Sequence, residues 1–402
     1  MSDIGATIAR AQQSRTPERL YTAIRRRRRN RLFYEQRSDM MNKNANDPAS
    51  EMRSRKGETH MNEHSRHPTK LSPIKGPLAW RGDEFGPRQQ WDFPLSGAHL
   101  AEIERAVEGL SGRNLQLSEI TKADFPLPEL GEELARMDET LHSGRGFVLL
   151  TGIDVDRYSE DVLRQIFVGI GTHFGTSVSQ SHRGDYLGDV IDRKEAGNER
   201  PYRRGGTISM HRDPSDIVGL FCYRNAKIGG LSRVASAATV WNAFLEERPD
   251  LLQPLLDGFH FYRPTADRGD SPALTPVKLP VFATDTDGQV HCSFIPELIK
   301  SGAQNGGESL SPLAVEALEF FEAVTNRDGV FLDMEFRPGD MQFLNDRTTV
   351  HGRTDYQDWP EPERRRHLFR LWLMCPHWPQ PSVRLNVFDQ SDRAGGGIPK
   401  AA

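Results

Sequence analysis

The stretch Met341-Gln342-Phe343-Leu344-Asn345-Asp346-Arg347-Thr348-Thr349-Val350-His351-Gly352-Arg353-Thr354 decides how this chain reads. Met341 to Leu344 is a short apolar run with the signature of a β-strand, Asn345-Asp346-Arg347 breaks it, and His351 stands at a strand end four residues further on. Outward from this stretch, runs of the same kind recur from Tyr186 onward, over 187–191, 217–223, 232–235, 281–283, 290–293, 331–336 and 368–374. Gly229-Gly230, Asp287-Gly288 and Pro338-Gly339 supply turns between several of them. Helical insertions are expected over 240–256 and 312–326. Ahead of the strands, apolar residues recur at helical spacing over 100–110 and 130–141, Gly144 and Gly146 lead into the strand Phe147-Val148-Leu149-Leu150, and a further helix runs from Ser159 towards Phe174. Many strands with few helices between them imply a mainly β fold with flanking helices, a sandwich or barrel, and disfavour an alternating βαβ sheet. Gly169, Gly171 and Gly175 imitate a dinucleotide fingerprint, but the spacing is wrong and no strand leads into it, so they read as helix packing and a helix stop.

At 402 residues, 36% hydrophobic and 27% charged, the chain is long enough for one catalytic-sized core. No run has the length of a membrane span, and no apolar leader opens the sequence, so a cytoplasmic location is expected. Cys222, Cys292 and Cys375 are widely spaced in apolar contexts and read as buried thiols, which excludes a disulfide scaffold or a thiolate zinc site. The net charge of −4 conceals an asymmetry: residues 1–70 carry about +8 and the remainder about −12. The first 75 residues, with the run Arg25 to Arg29, are expected to be a disordered basic tail of solvated charge; nucleic-acid binding and organelle or nuclear targeting are its specific alternative roles. His60, Glu63 and His64 within it match a metalloprotease pattern by accident, because their neighbours offer no apolar helix face. A domain is expected over 76–380, and 381–402 read as a loose tail.

The chemistry begins at His211-Arg212-Asp213, where an extended backbone turns an imidazole and a carboxylate to one side, within reach of one metal ion. That triplet alone is a weak signal. His351 completes two histidines and a carboxylate, the set that leaves one face of an octahedral Fe(II) free for a cosubstrate and O2; zinc is the rival ion. In Arg366-His367-Leu368-Phe369-Arg370-Leu371-Trp372, strand alternation puts Arg366, Leu368, Arg370 and Trp372 on one face. Two arginines beside Leu and Trp are costly to bury unless anions meet them, either the protein's own acids or a ligand. Charge counting favours a ligand such as 2-oxoglutarate: Fe(II) with one Asp is +1, the dianion brings the sum to −1, and one guanidinium restores neutrality.

Taken together, Met210-His211-Arg212-Asp213, Gly229-Gly230-Leu231-Ser232, Asn345-Asp346-Arg347 with His351, and Arg366 with Arg370 resemble the 2-oxoglutarate-dependent taurine dioxygenase-like (TauD/TfdA) oxygenases, a clavaminate synthase-like family. The resemblance spans roughly 145–375 and implies a double-stranded β-helix, or jelly-roll, core. It implies that His211, Asp213 and His351 bind iron and are the catalytic centre. Ser232, where the family usually has Thr, then hydrogen-bonds 2-oxoglutarate, Arg366 holds its distal carboxylate, and Arg370 lies near the substrate or the proximal carboxylate. Arg212 departs from the family pattern, which has a small residue or Thr there, and either points outward or reaches an anionic substrate.

The implied reaction couples oxidative decarboxylation of 2-oxoglutarate, with O2, to hydroxylation, desaturation or cyclisation of a small, possibly anionic metabolite, releasing succinate and CO2. Asp213 argues against halogenation, for which family members replace this carboxylate with a small residue. Candidate substrate positions are Gln180, Tyr202 and Arg370. The competing reading is a metal-binding barrel without oxygenase activity, a pseudoenzyme or zinc hydrolase, which has no need of Ser232, Arg366 and Arg370 together. Neither a membrane nor a nucleic-acid partner is expected, since the body of the chain is acidic. Oligomeric state is not legible.

Overall fold

The computed structural model describes residues 71–192, 206–269, 271–285, 289–306, 308–381, 383, 385–388 and 396–400. The basic tail with its His60, Glu63 and His64 lies outside them, as does Tyr202. In chain order the strands are β1 Phe93–Pro94, β2 Phe147–Thr151, β3 Thr176–Ser177, β4 Leu187–Ile191, β5 Ile208–His211, β6 Ile217–Arg224, β7 Ile228–Gly229 and β8 Ser232–Ser236. They continue as β9 Phe282–Thr284, β10 Val290–Cys292, β11 Leu332–Met334, β12 Met341–Asn345, β13 Thr349–Arg353, β14 Tyr356–Gln357 and β15 His367–Met374. A large sheet runs β1-β2-β12-β6-β15-β3, with β4 also paired to β15, and a small sheet runs β11-β8-β13-β5. Short ribbons join β9 to β10 and β7 to β14. The two sheets form the jelly-roll core, and all pairings except β1 with β2 are antiparallel.

Strand β15 explains the layering. It pairs with β6 on one side and with β4 and β3 on the other, and all eight of its residues are buried. Leu368 and Trp372 face the interior between the sheets with Val218, Val234 and Leu344. Phe369, Leu371 and Leu373 face the other way, onto the helices Gly97–Leu110, Leu130–His142 and Glu160–Gly171. A strand covered on both faces has no solvent side, so its apolar residues run nearly unbroken and the alternation hides only the arginines. The glycines of the false fingerprint serve this packing: a Cβ on Gly169 would collide with the Phe125 ring, and one on Gly171 with the Leu371 side chain.

Several elements differ from the sequence expectation. Strands β5 and β13 are short and mixed in polarity, so no apolar run announced them. The insertion expected over 240–256 is two helices, Ala237–Glu247 and Leu252–Asp257, divided at Arg248 because Pro249 excludes the helical conformation before it. Helix Pro296–Gln304 was not foreseen. In the stretch read as a loose C-terminal tail, Leu385, Val387, Phe388 and Ile398 are buried; the Ile398 amide donates to Ser179 O at 2.7 Å and Arg263 Nε to Val387 O at 2.8 Å. Scattered apolar residues among glycines carry no period, yet they find a cleft to fill. No helix among the described residues is long and apolar enough to cross a membrane.

Candidate active site

His211 ends β5, and antiparallel pairing sets it directly opposite His351 of β13, with ring centroids 4.6 Å apart. The backbones approach closely here because residue 352 is glycine: a Cβ at Gly352 would lie 2.6 Å from Ile208 O. Asp213 follows β5, and its Oδ1 lies 3.7 Å from His211 Nε2. One ligand atom from each of His211, Asp213 and His351 lies within 4.8 Å of the others. The three residues foreseen from sequence therefore converge.

Each of them is tethered on the side away from its partners. His211 Nδ1 donates to Ser209 O at 2.8 Å, which leaves Nε2 with a lone pair. Burial and the neighbouring His351 hold the His211 pKa down to about 4, so this ring is neutral at pH 7. Asp213 Oδ2 accepts the Trp372 indole N–H at 2.7 Å and Arg370 Nη1 at 3.1 Å, which leaves Oδ1 facing the histidines. Burial opposes the Asp213 charge, but Arg370 and the two histidines prevail and hold its pKa at about 2. His351 Nδ1 lies 3.5 Å from Asp346 Oδ1, within ion-pair reach but outside hydrogen-bond geometry. Burial disfavours protonation of His351, yet the carboxylates of Asp346 and Asp213 outweigh it and raise its pKa. Two nitrogen donors and one carboxylate oxygen, each fixed by an outer partner, suit a divalent transition ion with open positions.

Beneath the triad lies a buried network. Asp346, fully buried, accepts the Asp213 backbone N–H at 3.2 Å and the Ser215 hydroxyl at 2.8 Å, so one carboxylate ties both halves of the site. Neither outward pointing nor substrate contact holds for Arg212. It is 2% exposed, and its guanidinium donates to Asp213 O and Ser215 O, each at 2.8 Å. Arg347 pairs with Asp216 at 2.7 Å, and Asn345 Nδ2 donates to Leu141 O at 2.9 Å. In Asn345-Asp346-Arg347 the middle residue therefore supports the site and its neighbours support the scaffold.

Ser232 on β8 is buried, and its hydroxyl donates to Gln342 Oε1 at 3.0 Å. Arg366 is buried just before β15, with no ion pair among the described residues, and a Cβ on Gly230 would lie 3.1 Å from its Nε. Gly230 has φ +71°, so glycine is required there both for the turn and for the space beside the guanidinium. Burial and the neighbouring Arg353 lower the Arg366 pKa to about 10. A cavity of about 70 Å³ adjoins Arg366, lined also by Cys222, Gly230, Phe336 and Leu368. A buried cation beside a second cation and a small cavity suits a carboxylate ligand.

Arg370 does not stand open towards a substrate in the way the paired-arginine argument supposed, because it donates to Asp213 and, through Nε, to Gln180 Oε1 at 2.9 Å. Gln180 in turn donates to Arg370 O at 2.7 Å and to Tyr186 O at 3.2 Å, so it supports Arg370. Sequence reasoning assigned no role to Trp372, Asp346, Gln342 or Arg353. The strand alternation already placed Trp372 on the face of Arg370, and Asp346 stood in the Asn345-Asp346-Arg347 segment of the family resemblance without a role of its own; nothing in the sequence distinguished Gln342.

The family model for taurine catabolism dioxygenase TauD, TfdA matches residues 111–372. FR-33289 synthase of Streptomyces rubellomurinus is 30% identical over 309 residues, covering 75% of this chain and 90% of its own. Taurine hydroxylase-like protein SAT17 of Stachybotrys chartarum is 27% identical over 314 residues, covering 74% of this chain and 78% of its own. Among solved structures, asparagine oxygenase with Fe(II), 3-hydroxyasparagine and succinate superposes with a TM-score of 0.59 at 17% identity, covering 71% of this chain and 94% of that one. The non-heme iron oxygenase OrfP with Fe and alpha-ketoglutaric acid superposes with a TM-score of 0.54 at 14% identity, covering 71% and 93%. The extent of the family match and the 30% identical relative leave one conclusion: the chain belongs to the taurine catabolism dioxygenase TauD, TfdA family.

Proposed function

We propose that this chain is an Fe(II)- and 2-oxoglutarate-dependent dioxygenase that hydroxylates a small-molecule substrate, with His211, Asp213 and His351 as iron ligands and Ser232 and Arg366 as the seat of the distal carboxylate. The observation that carries the reading is the convergence of the triad, in which each ligand atom faces its partners while the atom behind it is hydrogen-bonded, to Ser209 for His211 and to Trp372 with Arg370 for Asp213, or, for His351, faces the Asp346 carboxylate at 3.5 Å. When bound, Fe(II) with 2-oxoglutarate supplies the oxidising chemistry, in which O2 is consumed, succinate and CO2 leave, and oxygen enters a substrate C–H bond.

The protein's own part is to bind and to exclude water. A neutral His211 offers its lone pair without first losing a proton, and a charged Asp213 offsets one unit of the ion's charge. Arg366, with Arg353 beside it, selects a ligand that carries a carboxylate at its far end. With a carboxylate at 213, the coordination position a halide needs is filled, which favours hydroxylation. The solved relatives hold 3-hydroxyasparagine and (3S)-hydroxy-L-Arg, and by that likeness the substrate is a small polar metabolite. An anionic substrate loses its support, since Arg370 is engaged with Asp213 and Gln180. We place the enzyme in the cytoplasm and its catalytic domain from 76 through the packed C-terminal segment with Leu385, Val387, Phe388 and Ile398, with the jelly-roll core at about 145–375. Burial there pushes the Cys222 and Cys292 thiols up to about 12, so both remain protonated.

The test is succinate formation from 2-oxoglutarate with Fe(II) and ascorbate in air. Wild type should form succinate, and His211→Ala should lose the activity together with metal binding. Wild type that forms no succinate with Fe(II) in air, or His211→Ala protein that forms it as fast as wild type, overturns the oxygenase reading.

A further inference from the structure

Ser232 has a single hydroxyl proton, and in this structure it is spent on the wrong partner for an anion. The hydroxyl donates to Gln342 Oε1 at 3.0 Å, so it turns only lone pairs towards anything that enters beside it. A carboxylate can only accept. Placed next to Arg366 and Ser232 as just proposed, it would meet a donor in the guanidinium and an unfavourable lone pair in the hydroxyl.

The environment of Gln342 supplies the remedy. Gln342 is fully buried on β12, and its side chain crosses to the small sheet, where Oε1 meets Ser232 and Nε2 lies 2.8 Å from Met334 Sδ. Met334 and Ser232 are direct cross-strand partners on β11 and β8, so the two ends of the amide face two adjacent side chains. A thioether is a weak acceptor and a soft, polarisable neighbour, so it discriminates little between the two ends of an amide. A half-turn of the Gln342 amide would present Nε2 to the Ser232 oxygen. The hydroxyl would then accept from Gln342 and donate its proton to the carboxylate. If the hydroxyl rotated alone, Gln342 Oε1 would be left buried without a donor, which is unfavourable.

We propose that Gln342 is a positioning residue for the cosubstrate: its amide turns over when a carboxylate enters the Ser232–Arg366 subsite, and so switches the Ser232 hydroxyl from donating into the protein to donating to the ligand. The inference rests on the reading of that subsite given above. It adds a residue that acts through Ser232, and it makes the orientation of one buried amide part of 2-oxoglutarate recognition.

Two substitutions separate this role from a structural one. While ionised, Gln342→Glu cannot donate, so it keeps the Ser232 proton and adds a like charge beside the subsite; protonated, it donates as the amide does, so its 2-oxoglutarate affinity should fall as pH rises. Gln342→Leu offers neither end, and the hydroxyl is free to serve the ligand. The probe is 2-oxoglutarate itself, titrated anaerobically into Fe(II)-loaded protein by calorimetry, alongside the 2-oxoglutarate KM and kcat from succinate release. Gln342→Glu should weaken binding by about thirtyfold or more and raise KM with kcat changing far less, whereas Gln342→Leu should stay within about fivefold of wild type. Ser232→Thr, which keeps the hydroxyl, should preserve this ordering, and Ser232→Ala should abolish the difference between wild type and Gln342→Leu. Equal losses in the Gln342→Glu and Gln342→Leu proteins, or a folded Gln342→Glu protein that binds like wild type, overturn the proposal.

Should Gln342→Glu fail to fold, the unmodified protein still decides. With Zn(II) in the site and 15N-labelled glutamine, the Gln342 side-chain NH2 resonances should shift on addition of 2-oxoglutarate; unmoved resonances at saturation refute the turnover. Failure of the parent reading looks different. There, wild type does not bind 2-oxoglutarate, or Arg366→Gln binds it as tightly as wild type.

Discussion

Asp346→Asn is the perturbation that most directly tests how the site is built. The substitution conserves shape and removes one negative charge from a fully buried position that accepts the Asp213 amide at 3.2 Å and the Ser215 hydroxyl at 2.8 Å and faces His351 Nδ1 at 3.5 Å. Burial pushes the Asp346 pKa up, the sign of a carboxylate kept where its charge is disfavoured. An asparagine retains an acceptor for the Asp213 N–H and turns its NH2 to Ser215, whose hydroxyl then accepts. Folding therefore loses little, and relief from burying a charge compensates; the Tm of metal-free protein is expected within about 2 °C of wild type, or above it. Metal affinity moves the other way. His351 Nδ1 faces this carboxylate within ion-pair reach and not in a hydrogen bond, so the substitution removes the charge behind the ring, and loss of such outer partners typically costs about 10- to 100-fold in metal affinity. Anaerobic Fe(II) titration and scanning calorimetry on the same preparation give both quantities. We expect at least a tenfold weaker Kd at nearly constant Tm. A Kd within twofold of wild type, or a Tm that collapses in step with the affinity, would falsify the argument, because Asp346 would then be scaffold alone.

Two further outcomes follow from local geometry. Gly352→Ala places a methyl 2.6 Å from Ile208 O, so β5 must move away from β13 and carry His211 with it; overpacking of this kind costs about 1–3 kcal/mol, and metal binding should weaken more than the fall in Tm alone implies. On the helix-facing side of β15, Asp189 pairs with His367 at 2.8 Å and with Arg164 at 2.7 Å; burial opposes its charge, but these partners hold its pKa at about 2. Because the folded value lies below the unfolded value of about 3.9, this ion pair stabilises the protein above about pH 5 and is lost as pH falls from about 4 towards 2, a contribution on the order of 2 kcal/mol. Asp189→Asn should flatten the stability profile across that window, and an unchanged acid-unfolding curve would remove Asp189 from the account.

The ligand triad was legible from residue type and spacing, although β5 and β13 are short and mixed in polarity and His351 lies in the middle of β13, not at the strand end expected from sequence. Strand period two put His211 and Asp213 on one side, and the break at Asn345-Asp346-Arg347 brought the chain back to His351. The arginine face of β15 was legible for the same reason, since alternation exposes a charge against an apolar background. What each arginine does was not. Arg366 and Arg370 look alike in sequence, four residues apart, yet one is buried without an ion pair among the described residues and the other is spent on Asp213 and Gln180. Arg212 looked like a solvent or substrate residue and proved to be a brace of backbone carbonyls.

While the role of the Ser232 hydroxyl came only from the family resemblance, the sequence by itself determined a mainly β fold with helices on its flanks, three metal-ligand candidates and a pair of arginines on one strand face. Those are properties of periodicity and residue type, which act over a few neighbouring positions. Only the tertiary structure decided that β5 and β13 pair so that His211 lies across from His351, that Trp372 and Arg370 reach Asp213 from the opposite sheet, and that Gln342 meets Ser232. Sheet register and cross-sheet contact join residues more than a hundred positions apart, and they are selected by the packing of two apolar layers as a whole, so no local pattern along the chain records them.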